Sequence, residues 1–158
     1  MDQSLERRLG ELLLARGWTF SAAESCTGGL VMHRMTNIPG SSAWVIGGLV
    51  AYANEVKQNV LGVQQAIIAQ YGAVSEECAR EMVLGALRLF GTNIAVSITG
   101  IAGPGGGTPT KPVGLTYIGA CLRGNEPIVR RHLWQSDREG VKAASADEAL
   151  RMALSLLE

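Results

Sequence analysis

WTFSAAESCTGG, Trp18 to Gly29, carries a short apolar run straight into Glu24-Ser25-Cys26-Thr27-Gly28-Gly29. The first half, Trp18 to Ala23, has the length and character of a buried strand. The second half feeds a helix that fades near Asn37-Ile38-Pro39-Gly40, where proline and glycine act as stops. A strand that turns directly into a helix is the opening unit of a layered α/β domain.

Working outward, Leu5, Leu9, Leu12 and Leu13 fall at helical spacing over Leu5 to Ala15, with Gly17 as the stop. Trp44 to Tyr52 reads as a second strand and Asn54 to Leu61 as a short helix. Ser75 is an N-cap with Glu76 and Glu77 well placed against the helix dipole. Behind it Ala79, Met82, Val83, Ala86, Leu87 and Phe90 form an apolar stripe. Asn93 to Ile98 is a strand that ends in the glycine-rich segment Thr99 to Gly107. Val113 to Cys121 and Pro127 to Trp134 are further strands, and the five residues Leu122 to Glu126 between them are too few for a helical crossover. Those two strands pair antiparallel. A last helix carries Leu150, Leu154 and Leu157. The expectation is a single α/β domain over 1–158: a three-layer α/β/α sandwich with a mixed sheet of about five strands.

Composition narrows the function. Apolar residues make up 47% and charged ones 18%, a globular balance. Fourteen basic side chains meet fourteen acidic ones, with no basic stripe, so nucleic acid is not the expected partner. The opening MDQSLERRLGELLL intersperses charges among its leucines and does not read as a signal peptide. No run of apolar residues is long enough to span a membrane, and a cytoplasmic location is expected. Cys26, Cys78 and Cys121 are odd in number and widely spaced, and His33 and His132 stand in no ligand-spaced motif. Neither a disulfide framework, a metal site nor a bound cofactor is expected.

Ligands of such folds collect at the carboxyl ends of strands. Three segments stand there: the Ser25 turn, Tyr52 to Lys57, and the loop from Thr99. Ser25 is placed to project above the sheet, while amides from Cys26 to Gly29 suit an oxyanion or a phosphate. A plain helix cap by Ser25 or Thr27 fits the same pattern. His33 lies two turns into the following helix, so the base for Ser25 falls to Lys57, provided burial lowers its pKa. Tyr52 is the candidate relay and Asn54 a candidate orienting group; a solvated Lys57 with a packed Tyr52 is the alternative. The glycine-rich loop also suits a surface turn, and Arg138, before the last helix, suits either a phosphate or a cap.

In order along the chain stand AESCTGG from Ala23, PGSSAW from Pro39, AYANEVK from Ala51, GAVSEE from Gly72, TGIAGP from Thr99, KPVG from Lys111 and SDRE from Ser136. Together they resemble the CinA C-terminal domain family across essentially the whole chain. The resemblance implies a metal-independent amidohydrolase that converts nicotinamide mononucleotide and water to nicotinate mononucleotide and ammonia, in NAD recycling. It implies Ser25 as nucleophile, Lys57 as base and Tyr52 as the assisting residue. It further implies substrate contacts at Thr27, Gly28, Gly29, Ser41, Ser42, Asn54, Thr99, Gly100 and Arg138, and a homodimer. The chain departs from the family pattern at Gly105, Lys142 and Ala144, where an aspartate and two arginines are frequent. A non-catalytic nucleotide-binding or competence-associated interaction module is the alternative reading.

Overall fold

The computed structural model describes residues 4–158. Helix α1, Leu5–Arg16, starts where the Ser4 side chain accepts from the Arg7 amide and ends at Gly17. Strand β1, Phe20–Glu24, is buried along its whole length. Helix α2, Leu30–Thr36, and a 3-10 turn, Ser41–Ala43, lead to β2, Val45–Val50. Three helices follow: α3, Asn54–Asn59; α4, Gln65–Tyr71; and α5, Glu76–Phe90, capped by Ser75, whose hydroxyl accepts from the Cys78 amide. Strands β3, Ile94–Gly100, β4, Leu115–Leu122, and β5, Ile128–Leu133, precede the long α6, Arg138–Leu157. Among the described residues no helix is long and apolar enough to cross a membrane.

The five strands form one mixed sheet in the order β2-β1-β3-β4-β5. The first three run parallel, and the last two close it antiparallel, as the short Leu122–Glu126 connection requires. Helices α1, α2 and α6 cover one face, where Leu9, Leu13, Val31, Met35, Val141 and Leu150 pack on Phe20, Ala22, Val96, Ile98 and Ile118. On the other face Met82, Val83 and Ala86 of α5, with Leu61 and Val63, pack on Ala23, Ala95 and Cys121. Side chains alternate across a strand, and this alternation sends Phe20 and Ala22 to one layer and Ala23 to the other.

The expected three-layer α/β/α sandwich is therefore the observed one. Helix α4 was not expected: its seven residues are too few to show a period, and none of them is fully buried. From β1 the chain passes to β2 on one side and, through α3 to α5, over to β3 on the other. The carboxyl ends of β1 and β3 thus form a topological switch point, where open α/β sheets keep their crevice.

Helix α5 approaches the segment after α3 closely. A methyl group added at Gly85 would stand 2.1 Å from the Leu61 carbonyl oxygen. Gly85→Ala has to push Leu61, and α3 with it, outward; overpacking of this kind costs about 1–3 kcal/mol. The expected result is a melting temperature lower by roughly 3–10 °C. An unchanged melting curve would show that α3 moves freely relative to α5.

Candidate active site

β1 ends at Glu24, and its last peptide is held from both sides: the Ala51 amide donates to the Glu24 carbonyl at 2.7 Å, and the Ser25 amide donates to the Ile98 carbonyl at 3.0 Å. Ser25 is 7% exposed and turns toward the α3 layer, where Lys57 waits. Lys57 is only 1% exposed, among the largest fully buried side chains of the molecule. Its Nζ lies 3.0 Å from Ser25 Oγ, 2.7 Å from the Ala51 carbonyl oxygen and 3.0 Å from the Tyr52 carbonyl oxygen. Two carbonyls therefore take two N–H groups, and the third direction of the amine faces the serine.

Burial pushes the Lys57 amine below the usual lysine range. The groups acting the other way are the Cys78 and Cys26 thiols. Burial pushes each of those thiols up to about 11, so both are uncharged near neutrality. Among the described residues no carboxylate is a partner of the amine. A desolvated lysine without a counter-charge is what a neutral-amine base requires.

Ser25 and Lys57 open into a cleft of about 270 Å³. The ends of β1 and β2, the loop after β3, Ala73 and Val74 before α5, and Arg138 at the start of α6 line it. Tyr52, Asn54, Thr99, Gly100 and Arg138 are all brought to this cleft. The Thr99 hydroxyl donates to the Ala73 carbonyl at 2.8 Å and so ties β3 to the α5 loop. Arg138 donates from Nη1 to the Gly103 carbonyl at 2.7 Å and from Nη2 to the Tyr52 hydroxyl at 3.4 Å, closing one side of the mouth. Tyr52 is 63% exposed. It is the Tyr52 carbonyl, not the hydroxyl expected as a relay, that Lys57 engages.

Other expected residues stand outside the cleft. Ser41 and Ser42 precede β2, whose first residue pairs with Phe20 at the start of β1. They lie at the opposite end of the sheet, about five strand residues or roughly 16 Å from Ser25. Thr27 is buried, and its Oγ1 has no hydrogen-bond partner among the described residues. Gly28 and Gly29 shape the turn, with φ of 62° and 102°, a region that favours glycine. His33, expected two turns into the helix that follows, stands in its first turn. Helix α2 begins at Leu30, and its Val31 and Met32 amides donate to the Glu24 carboxylate. The amides of Cys26 and Thr27, in the intervening turn, take no acceptor among the described residues.

Of the three departures from the family pattern, Gly105 lines the cleft, while Lys142 brings its Nζ over Gly28, 3.7 Å from where a Cβ would stand. Ala144 is not among the lining residues. Sequence reading missed Ala73 and Val74 as lining residues, small apolar side chains that carry no signal, whereas Cys26 and Ile101 to Gly103 fall in segments expected at the site. Among the described residues no three His, Cys, Asp or Glu side chains are placed to share a metal ion.

The lowered pKa of Lys57 links stability to pH. Between that lowered value and the unfolded lysine value of about 10.4, the unfolded chain binds the extra proton and the folded one does not. Stability therefore rises with pH across this window, and the cost of a buried charge is full only below the folded pKa. Chemical denaturation of wild type and Lys57→Met from about pH 7 to about pH 10 should show wild type gaining on the variant. A constant difference would mean that the amine is protonated in both states.

The family model of the CinA C-terminal domain matches residues 2–157. A CinA-like protein of Chloroherpeton thalassium is 47% identical over 159 residues, which cover 99% of this chain and 38% of that protein. The chain thus spans little more than a third of the length of the first curated relatives it matches. The nicotinamide-nucleotide amidohydrolase PncC of Enterobacter agglomerans is 43% identical over 150 residues, covering 95% of this chain and 92% of that protein. The crystal structure of the competence/damage inducible protein CihA from Agrobacterium tumefaciens superposes with a TM-score of 0.95 at 39% identity, over 98% of this chain and 94% of that one. The match along nearly the whole chain, in sequence and in fold, means that this protein belongs to the CinA C-terminal domain family.

Proposed function

We propose that this cleft hydrolyses the carboxamide of nicotinamide mononucleotide to nicotinate mononucleotide and ammonia, as a cytoplasmic Ser25–Lys57 amidohydrolase of NAD recycling. The observation that carries the reading is the 3.0 Å approach of a buried, carboxylate-free Lys57 amine to Ser25 Oγ. The likeness to an amidohydrolase of nearly the same length supports the substrate class.

Neutral Lys57 takes the hydroxyl proton as Ser25 Oγ attacks the carboxamide carbon. The oxyanion accepts from the unclaimed amides of the turn, that of Cys26 first, since Cys26 lines the cleft. One such donor contributes about 3 kcal/mol to the transition state. The C–N bond breaks as Lys57 returns its proton to the nitrogen, which leaves as ammonia. Water then attacks the acyl-serine ester, giving one proton to Lys57; Ser25 recovers that proton as the carboxylic acid departs, and the acid ionises to solvent. Each step is a proton or acyl transfer, so the chemistry calls for neither a redox cofactor nor a metal. Arg138 stands at the mouth to meet the phosphate, and Tyr52 beside it. A homodimer belongs to the same proposal. β2 is an edge strand with Ile46 53% and Val50 44% exposed, and light scattering of the purified chain should return twice its 16.7 kDa mass; a monomer mass at working concentration refutes it.

Ammonia release from nicotinamide mononucleotide tests the reading. Ser25→Ala and Lys57→Met should each lose on the order of 10³-fold or more in kcat while nucleotide binding persists. Arg138→Met should raise KM about 10-fold or more, the loss of a charge-assisted contact. Normal turnover by Ser25→Ala refutes the nucleophile. No release by folded wild type that still binds the nucleotide would make this a nucleotide-binding module.

A further inference from the structure

Glu24 is a buried carboxylate, 1% exposed, that the chemistry above does not use. It ends a strand whose other residues are small or apolar. Its Oε1 accepts from the Val31 amide at 3.0 Å and its Oε2 from the Met32 amide at 3.2 Å. With Leu30 donating to the Thr27 carbonyl and His33 to the Gly29 carbonyl, the first four amides of α2 are all satisfied within the protein. A buried carboxylate is stable only when its oxygens are so paired. The start of α2 therefore holds an anion already, supplied by the chain, and substrate has no claim on it.

We propose that Glu24 is the positioning residue of the nucleophile. The turn Ser25–Gly29 is clamped at its start by the β-ladder, through the Ser25 amide on Ile98, and at its end by the Glu24 carboxylate on α2. Ser25 is the residue next to Glu24, on the opposite side of the strand, so the same clamp sets the direction of Oγ toward Lys57. Because both carboxylate oxygens are occupied, Glu24 takes no part in proton transfer. This assignment rests on Ser25 being the nucleophile.

The test is Glu24→Gln, which keeps the shape but offers one acceptor oxygen, its NH2 opposing the other amide. Amide exchange at Val31 and Met32 should accelerate, while circular dichroism stays that of wild type. The kcat for ammonia release should fall about 10- to 100-fold, with KM within about twofold, because misplacement acts on the transition state rather than on binding. Phosphonylation of Ser25 by a fluorophosphonate, followed by mass spectrometry, should slow by a similar factor without any nucleotide present. If Glu24→Gln fails to fold, Glu24→Asp, which keeps the charge with a shorter reach, must show the same slowing. Equal labelling rates in wild type and the folded variant overturn the positioning role. So does a loss that falls on KM rather than on kcat. Labelling of wild type without ammonia release refutes the mononucleotide substrate alone, with the labelling comparison still deciding Glu24. Absence of labelling in wild type refutes the nucleophile and this inference together.

Discussion

The structure turns on one unfavourable burial. Lys57 is withdrawn from water with two backbone carbonyls and a serine hydroxyl as its partners and, among the described residues, no opposing carboxylate. An ammonium in that position is costly, and the fold answers by lowering the pKa of the amine rather than by neutralising it with an acid. The surrounding thiols of Cys26 and Cys78 do not rescue the charge, because the same burial keeps them protonated. A residue that in most helices is a solvated lysine thus becomes an amine that gives up its proton more readily than a solvated one.

Holding that amine requires the layers to be placed with little tolerance. Helix α3 must lie against the sheet, which the close approach of Gly85 to Leu61 permits. The carbonyls of Ala51 and Tyr52 must point inward where β2 ends, and the Ala51 amide is fixed there by Glu24. Glu24 contributes its main chain to the strand ladder and its side chain to α2. One residue therefore joins the β2 end, the Ser25 turn and the first turn of α2. The polar contacts of the cleft are mutually dependent, as buried networks generally are.

Much of this was legible in the chain. Local apolar periods marked α1, α5 and the strands, and the five-residue connection before Pro127 dictated an antiparallel pair. Capping at Ser75 was visible as a serine ahead of two glutamates. The chemistry of Ser25 and Lys57 was legible as residue types following strands, and the resemblance sharpened it. Helix α4 was not legible, because seven residues with little burial leave no periodic trace.

What the sequence by itself determined is the inventory: which segments are helix or strand, that they build three layers, and which side chains could supply a nucleophile and a base. These follow from local periodicity and from side-chain chemistry, properties that neighbours along the chain carry. What only the tertiary structure decided is who faces whom. Ser41 and Ser42 were set at the far end of the sheet, Tyr52 offered its carbonyl rather than its hydroxyl to Lys57, and Glu24 took the Val31 and Met32 amides at the start of α2. The meeting of Ser25 with Lys57 depends on strand order and on the direction of parallel strands, which bring residues 32 positions apart to 3.0 Å. No local pattern encodes that distance, because it is set by how whole layers pack.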